Sequence, residues 1–287
     1  MGIFVHSTSP EIPNSPESEA AKNIVLQMTE EEKYSILNGV GFISRLQEEG
    51  YYVGNEPPID RLGIPSIKMQ DAAQGFRTTD ERMIGGVTAW PCSLAVASTW
   101  DVSRMEEWGH ALGVEHRTKG ANVILGPAVN VHRVAKGGRN AEYLSGEEPT
   151  LGVYLTKAYI RGVQAEGVMA VVKHFALNNQ ETSRNSVDSH CDERTMQEVY
   201  YPPFAAAVSE GVASFMCSYN LVNSTHSCGN DSLLSRDLKS RMGFEGFVMS
   251  DWWAIHDKGW QNYGLDMDMP GTGENMRFAK QQSNSIN

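Results

Sequence analysis

The segment GFEGFVMSDWW (243–253) joins a short apolar run to a carboxylate and two indoles. The run FVM is typical of a buried strand, and Asp251 follows at its carboxyl end. A carboxylate at the end of a rigid strand can act as a nucleophile that approaches one carbon atom from one direction. Asp in this position also commonly caps a helix, and Trp252 alone could be core packing. Two adjacent exposed indoles favour the chemical role, because an indole face can hold the C–H surface of a sugar.

Lys173 and His174 follow a second apolar run, VMAVV (168–172). Neighbouring side chains on a regular strand point to opposite faces, so both can reach one pocket only if the backbone departs from ideal geometry. We therefore predict a kink, a bulge or a cis peptide near the His174–Phe175 bond. The alternative is a surface lysine beside a core histidine.

The segment KGGRNAEY (136–143) contains a third candidate group. Gly137 and Gly138 permit a tight turn from which Arg139 can project. Its guanidinium presents a fixed fork of donors that suits paired hydroxyls or a supporting carboxylate such as Glu142. Without the other groups, this would be a glycine-containing loop with a solvated arginine.

These groups must be positioned by the alternating elements of the chain. Helical segments are indicated by capping pairs, Thr29 with Glu32, Ser103 with Glu106 and Thr195 with Glu198. The runs between these helices are apolar nearly throughout rather than alternating, which is typical of strands covered on both faces. These runs are IPSIKM (64–69), NVILGPAVNV (122–131), VMAVV (168–172), ASFMCS (213–218), GFVMS (246–250) and GLDMDM (264–269).

Polar side chains stand at the carboxyl ends of these runs, and they predict the fold class. They are Asp71, His132 and Arg133, Lys173 and His174, Tyr219 and Asn220, and Asp251 and Trp252. Strands that alternate with helices form parallel α/β sheets, and in a barrel the carboxyl ends of the strands meet on one face. A doubly wound sheet would do likewise, but no G-x-G-x-x-G follows an early strand. We predict a (β/α)8 TIM-type barrel.

The composition excludes several classes of partner. The 287 residues carry a net charge of −11, which disfavours nucleic acid and anionic membrane surfaces, and no apolar run is long enough to span a bilayer. There is no Walker loop, no HExxH and no Cys/His cluster, so we expect neither a metal nor a cofactor. The predicted face fits an uncharged, polyhydroxylated ligand, and the oligomeric state stays open.

Two cysteines and two sequons bear on the compartment. Cys217 and Cys228 are close enough in sequence to pair under oxidising conditions, but free buried thiols are the commoner outcome and are expected here. Asn-x-Ser/Thr sequons occur at Asn223 and Asn230, and such short motifs often arise by chance. These features favour secretion only slightly, so the compartment is left open, and no signal peptide is visible.

Eight segments resemble glycoside hydrolase family 3, in the order that this family has them. They are MTEEEKYSILNG, QDAAQGFR, LGPAVNVHRVAKGGRNAEY, VVKHFALNNQET, DERTMQEVYYPPF, FMCSYNLVN, GFVMSDW and GLDMDMPG, which span about residues 28–271. The resemblance implies a barrel and the retaining, exo-acting hydrolysis of β-glycosidic bonds, as in β-glucosidases. The implied partner is a small β-linked oligosaccharide or glycoside.

The resemblance assigns roles to nine residues. Asp251 would be the nucleophile that forms a covalent glycosyl-enzyme. Around the terminal sugar would lie Asp71, Arg139, Lys173, His174 and Tyr219 as binding residues, Trp252 and Met216 as lining residues, and Arg77, a weaker match, near the mouth. Ala72 and Ala73 stand where the family usually has Gly-Pro, which affects the loop that carries Asp71.

We divide the chain into a lead-in (1–19), which its proline and serine content predicts to be disordered, a catalytic barrel (20–275) and a polar tail (276–287). A retaining glycosidase needs a second carboxyl group about 5–5.5 Å from the nucleophile. In most of the family this acid/base comes from a second domain after the barrel. We expect that domain to be missing, together with the last helix of the barrel, so that the barrel is incomplete at its C-terminal end.

Two alternatives follow from that expectation. One branch of the family, the β-N-acetylglucosaminidases, takes its acid/base from an Asp–His pair in a barrel loop, and Asp188 and His190 have a comparable place here. The PGHGD lead of that branch is absent, and ALNNQET stands in its position. The other alternative is a non-catalytic sugar-binding remnant.

Overall fold

The computed structural model describes residues 16–40, 52–78, 81–257 and 259–271. The helices are α1 (Pro16–Val25), α2 (Glu30–Ser35), α3 (Ser93–Ala97), α4 (Val102–Thr118), α5 (Pro149–Gln164), α6 (Glu193–Thr195) and α7 (Pro202–Ser209). The strands are β1 (Gly54–Glu56), β2 (Ile67–Asp71), β3 (Val123–Leu125), β4 (Met169–Phe175), β5 (Asp188–Ser189), β6 (Ser214–Cys217), β7 (Leu221–Val222), β8 (Thr225–His226) and β9 (Phe247–Met249). The segments Met196–Tyr200 and Ser232–Arg241 are π-helical.

The central sheet has the strand order β1-β2-β3-β4-β6-β9, and only the β1–β2 pair of this order is antiparallel. Backbone hydrogen bonds connect β9 to residues 266–269, and these residues to residues 37–39. The Val40 amide then donates to the carbonyl of Asn55 on β1, which connects the two ends of the sheet. The predicted TIM-type barrel is therefore confirmed. In the described ranges no α-helix follows β9. β5, β7 and β8 form a separate small sheet.

Apolar side chains fill both sides of the central sheet. Inside the barrel, Met69, Val171 and Met249 are fully buried. Outside it, α4, α5 and α7 cover the sheet, and Phe175 and Phe215 pack against this helical layer. The described helices do not include one with the length and apolarity needed to cross a membrane.

Glycine brings α4 and α5 close together. A Cβ added to Gly109 would lie 2.7 Å from the carbonyl oxygen of Tyr159, and one added to Gly162 would lie 2.3 Å from that of Glu106. These distances are shorter than a normal contact, so each position requires the absence of a side chain. Trp108 of α4 then meets Tyr159 of α5 edge to face, with ring centroids 5.5 Å apart.

Several predicted boundaries are wrong. Of the run 122–131 only β3 is a strand, and 264–269 forms backbone hydrogen bonds with β9 without being a regular strand. The capping pair of Thr29 and Glu32 is present. The other two helices are capped earlier, by Asp101 and Asp192, because each of these carboxylates accepts from amides at the start of its helix.

The disordered lead-in was predicted to extend to residue 19, but α1 begins at Pro16. Proline suits the first position of a helix, and Glu17 and Glu19 in the first turn face the positive end of the helix dipole. These start signals outweigh the proline- and serine-rich composition that suggested disorder. Residues 1–15 and the polar tail 276–287 lie outside the described residues.

Cys217 and Cys228 form a disulfide, so the expectation of free thiols is wrong. Cys217 ends β6, and the β7–β8 hairpin returns the chain so that Cys228, in the 3-10 turn Ser227–Gly229, lies beside it. The two Cα atoms are 5.1 Å apart, within the range for a disulfide. The other two cysteines, Cys92 and Cys191, are free.

The buried carboxyl group of Glu56 should make the protein less stable as the pH rises. Its side chain shares the inner face of β1 with Gly54, it is buried, and its Oε1 atom has no hydrogen-bond partner. Burial raises its pKa from 4.5 to about 8. The folded state therefore keeps a proton that the unfolded chain releases above pH 4.5, so the free energy of unfolding should fall by a few kcal/mol, roughly, between pH 4.5 and 8.

The test is urea unfolding of the wild type and of Glu56→Gln at pH 5 and pH 8. The amide mimics the protonated carboxyl group, so the variant should be the more stable protein at pH 8 and should lose less stability between the two pH values. Asp268, whose pKa burial raises to about 7, contributes a remaining slope of the same sign. Equal slopes for the wild type and the variant would show that Glu56 does not carry this dependence.

Candidate active site

A cavity of about 290 Å³ opens at the carboxyl ends of the barrel strands. All nine residues to which the resemblance assigns roles line it: Asp71, Arg77, Arg139, Lys173, His174, Met216, Tyr219, Asp251 and Trp252. The other polar residues predicted at strand ends, His132, Arg133 and Asn220, are not part of this lining. The nine lining residues come from the ends of β2, β4, β6 and β9 and from the loop after β3. The strand-end pattern therefore identified side chains that the fold brings together. We call this space the active-site cavity.

Asp251 is nearly buried, with 7% of the residue exposed. Its Oδ1 atom accepts a 2.8 Å hydrogen bond from the backbone amide of Trp252. Its Oδ2 atom has no hydrogen-bond partner among the described residues and lies 3.5 Å from His174 Nε2. Burial raises the pKa of Asp251, while the Trp252 amide and the positive charge of Lys173 oppose the rise. One oxygen is thus fixed and the other remains available to a ligand.

His174 is a neutral donor that faces Asp251. Burial and the nearby charges of Arg139 and Lys173 hold its pKa well below 6.5. Burial also raises the pKa of Tyr143, so this hydroxyl keeps its proton, and it lies 2.6 Å from Nδ1 of His174. In the tautomer in which Tyr143 donates to Nδ1, the imidazole proton lies on Nε2, 3.5 Å from Asp251 Oδ2.

The backbone at this position departs from regular strand geometry, as predicted. The Lys173–His174 and Phe175–Ala176 peptide bonds are cis, and the pairing of β4 with β6 shifts register between Val172 and Phe175. Lys173 and His174 both line the cavity.

Glu142 holds two cations in the cavity wall. Its Oε1 atom lies 2.7 Å from Lys173 Nζ, and its Oε2 atom lies 2.7 Å from Arg139 Nη2. Burial alone would raise the pKa of Glu142, but the charges of Lys173 and Arg139 hold it far below 4.5. Glu142 therefore supports Arg139, as expected, and it also pairs with Lys173. The N–H groups of these two cations that do not contact Glu142 can donate to a ligand.

Asp71 and Arg77 form a more exposed ion pair at 2.7 Å. The backbone of Asp71 is held on both sides, since its amide donates to Gln70 Oε1 at 2.9 Å and its carbonyl oxygen lies 3.3 Å from His116 Nε2. Arg77, predicted near the mouth, has 60% of its side chain exposed. A carboxylate and a guanidinium in this arrangement can bind the hydroxyl groups of one sugar from two sides.

Tyr219 completes the wall next to Asp251. It is nearly buried, and burial together with the charge of Asp251 raises its pKa, so its hydroxyl remains a donor. The guanidinium of Arg184 lies 4.3 Å from the centre of the Tyr219 ring, and Arg184 also pairs with Glu181 at 3.2 Å. Met216 supplies buried apolar surface below this layer.

The two indoles differ in environment, which corrects the picture of two exposed rings. Trp252 is 8% exposed, packs in the interior cluster and donates from Nε1 to the carbonyl of Val53. Trp253 is 56% exposed and also lines the cavity. Trp252 is therefore both a core residue and a cavity wall, and Trp253 supplies the exposed aromatic surface.

Sequence reasoning missed three lining residues, Val53, Leu125 and Arg184. Leu125 ends β3, so the rule that strand ends gather on one face could have found it. Arg184 lies in an irregular segment after β4 and carries no periodic signal. Val53 precedes the antiparallel strand β1, which was not predicted.

Asp188 and His190 form a pair outside the active-site cavity. The Nε2 atom of His190 lies 3.2 Å from Asp188 Oδ2, and 69% of the histidine side chain is exposed. Neither residue is among those that line the cavity. The described part of the chain contains no group of three His, Cys, Asp or Glu side chains that could hold a metal ion.

Residues 41–264 match the family model described as the glycosyl hydrolase family 3 N terminal domain. The chain belongs to glycosyl hydrolase family 3. A family 3 relative, a β-glucosidase from Rhizobium radiobacter, is 42% identical over 253 residues, which cover 87% of this chain but 29% of the relative. A probable β-glucosidase E from Aspergillus fumigatus is 40% identical over 264 residues, which cover 88% of this chain and 24% of that relative.

Solved family 3 structures confirm the fold. β-Glucosidase 3B from Thermotoga neapolitana, solved in complex with α-D-glucose, matches with a TM-score of 0.84 and 34% identity over 93% of this chain and 39% of that one. The β-D-glucoside glucohydrolase from Trichoderma reesei matches with a TM-score of 0.84 and 38% identity over 94% of this chain and 37% of that one. The chain thus spans roughly a quarter to two fifths of the length of these family 3 proteins.

Proposed function

We propose that this chain binds the terminal sugar of a β-glucoside and supplies the nucleophile of a retaining, exo-acting β-glucosidase. The observation that carries the proposal is the state of Asp251, with one oxygen fixed by the Trp252 amide and the other facing the cavity beside the His174 donor. Two relatives named β-glucosidases and a neighbour solved with glucose support glucose as the sugar.

In the proposed first step, Oδ2 of Asp251 forms a bond to the anomeric carbon as the bond to the aglycone oxygen breaks. That oxygen takes a proton from a general acid, which leaves a covalent glucosyl-enzyme. In the second step water attacks the same carbon, loses a proton to the conjugate base and releases Asp251. Two inversions give net retention of configuration.

Donors and cations around the cavity would hold the sugar during both steps. His174 lies 3.5 Å from Asp251, and Tyr219, Lys173 and Arg139 also interact with this carboxyl group, so these donors suit hydroxyls near the reacting carbon. The ion pair of Asp71 and Arg77 offers further groups for hydroxyls of the same sugar. A cavity lined by these groups fits one terminal sugar of a glycoside, which agrees with exo action.

The general acid must come from elsewhere than the described lining of the cavity. Asp71 is the other carboxylate in that lining, and it is paired with Arg77. A substrate with a good leaving group, such as 2,4-dinitrophenyl β-D-glucopyranoside, needs little acid assistance. This chain should therefore release dinitrophenolate slowly from it, and the first sugar product seen by proton NMR should be β-glucose. Formation of α-glucose first would contradict a retaining mechanism.

The Asp188–His190 pair favours a second candidate function, a β-N-acetylglucosaminidase with this pair as acid/base. The exposure of His190 and its position outside the cavity argue against that role. His190→Ala should therefore change the rate of dinitrophenolate release less than twofold. The same comparison on the 2-acetamido analogue serves as the control, and a tenfold or larger loss on that substrate would favour the second function.

A further inference from the structure

The backbone of His174 forms hydrogen bonds in an unusual direction. In a parallel strand, successive residues turn their N–H and C=O groups alternately toward the two neighbouring strands. Residues 171 and 173 of β4 both bond to the segment 126–129, which follows β3. His174 should therefore turn its groups the other way, toward β6. Instead its amide and its carbonyl both bond to the side chain of Asn130, the next residue of that segment.

The side chain of Asn130 takes the place of a strand backbone. Its Oδ1 atom accepts from the His174 amide over 2.9 Å, and its Nδ2 atom donates to the His174 carbonyl over 3.0 Å. Both residues are buried, where an unpaired backbone amide or carbonyl is costly. A primary amide carries one acceptor and two donors in one plane, so a single side chain satisfies both groups.

The position of the imidazole depends on this backbone. The His174 Nδ1 atom lies 2.6 Å from the Tyr143 hydroxyl, and Nε2 lies 3.5 Å from Asp251 Oδ2. A shift of the backbone at residue 174 would displace the ring from both partners. Asn130 is not among the residues that line the active-site cavity, so it can affect a ligand there only through the residues that it holds.

We propose that Asn130 is a positioning residue for His174: it fixes the backbone so that the imidazole faces Asp251 and a hydroxyl group of the bound sugar. The effect on sugar binding rests on the proposed function, because it needs the terminal sugar to occupy the active-site cavity. The effect on the position of the ring does not.

Asn122 provides a matched control at the opposite end of β3. Its Oδ1 atom accepts from the Lys68 amide over 2.8 Å, and its Nδ2 atom donates to the Ser66 carbonyl over 2.9 Å. It precedes β3 and is not part of the cavity lining. Asn122→Ala therefore removes an equivalent pair of side-chain to backbone hydrogen bonds without removing a contact to His174.

The first test is isothermal titration calorimetry of the full chain with 1-deoxynojirimycin, an iminosugar that carries the hydroxyl groups of glucose. Asn130→Ala should bind it about fivefold more weakly than the wild type, or weaker still, whereas Asn122→Ala should stay within about twofold. In a His174→Ala background, Asn130→Ala should add less than about twofold, because the ring that it positions is gone. Asn130→Ser, a second variant in case the alanine variant does not fold, should weaken binding in the same direction.

The second test needs no sugar. In crystals of Asn130→Ala, His174 Nε2 should lie about 1 Å or more from its wild-type position relative to Asp251, and in Asn122→Ala it should not move. An unmoved ring, undiminished binding by a folded Asn130 variant, or an equal loss in the His174→Ala background would overturn the inference. Absence of saturable binding by the wild type would contradict the proposed function, and the position of the ring would still decide this inference.

Discussion

Asp251→Asn should lower the rate of dinitrophenolate release from 2,4-dinitrophenyl β-D-glucopyranoside by roughly three to five orders of magnitude, the range for removal of a nucleophile. The amide oxygen can still accept the hydrogen bond of the Trp252 amide, so the fold around the site should be preserved. Burial raises the pKa of Asp251, so the variant also removes an ionisable group that is costly to bury. Initial rates and urea unfolding together separate loss of chemistry from loss of structure.

Asp188→Asn is the control for that change. Asp188 lies on β5 of the small sheet, outside the active-site cavity. Its Oδ1 atom accepts a 2.9 Å hydrogen bond from the Ser224 amide. We expect its rate to remain within twofold of the wild type. A residual rate of more than a tenth in a folded Asp251→Asn protein would mean that another group performs the displacement.

Glu142→Gln should destabilise the protein by about 3–5 kcal/mol, the typical cost of removing one partner from a buried ion pair. The change leaves Lys173 and Arg139 as two neighbouring cations with no carboxylate between them. Lys173 is 4% exposed, so water can compensate little of its lost interaction, whereas Arg139, with 25% of its side chain exposed, keeps some access to water. The measurement is the free energy of unfolding in urea at pH 7.

The ion pairs of Glu142 with Lys173 and Arg139 also predict a loss of stability in acid. The pKa of Glu142 is held far below its unfolded value of 4.5, so the ion pairs stabilise the fold above about pH 4.5 and are lost progressively as the pH falls toward the folded pKa. The wild type should lose stability between pH 5 and pH 3 faster than Glu142→Gln does. Glu181→Gln removes a 3.7 Å contact to Arg139 and a 3.2 Å contact to Arg184 from a more exposed carboxylate, and it should cost less than about 1 kcal/mol. Equal losses for the two glutamine variants would contradict the central role of Glu142.

One property of parallel barrels allowed the sequence to predict which residues of the candidate site lie together. Asp71, Lys173, Tyr219 and Asp251 lie far apart in the sequence, but each stands at the carboxyl end of an apolar run, and such ends share one face. The irregular backbone after Val172 could be predicted for a related reason, since two adjacent side chains had to reach one pocket. These predictions depended on local pattern plus the geometry of the fold.

Other features depended on tertiary contacts that leave little trace in the sequence. The Cys217–Cys228 disulfide requires the β7–β8 hairpin, whose strands have two residues each. The burial of Trp252 and the exposure of Trp253 depend on the turn that Met269 stabilises. The contact of Arg184 with Tyr219 comes from an irregular segment without periodicity. In each case a long-range hydrogen bond or packing contact decides the outcome.

The central claim is that Asp251 is an assembled nucleophile, and covalent trapping tests it most directly. The full chain is incubated with 2,4-dinitrophenyl 2-deoxy-2-fluoro-β-D-glucopyranoside, whose fluorine slows release of the glucosyl-enzyme and whose leaving group needs little acid assistance. Intact-protein mass should increase by one fluoroglucosyl group, and peptide mapping should place it on Asp251. A folded protein that gains no mass, or that carries the label on another residue, would contradict the claim and favour a non-catalytic sugar-binding barrel.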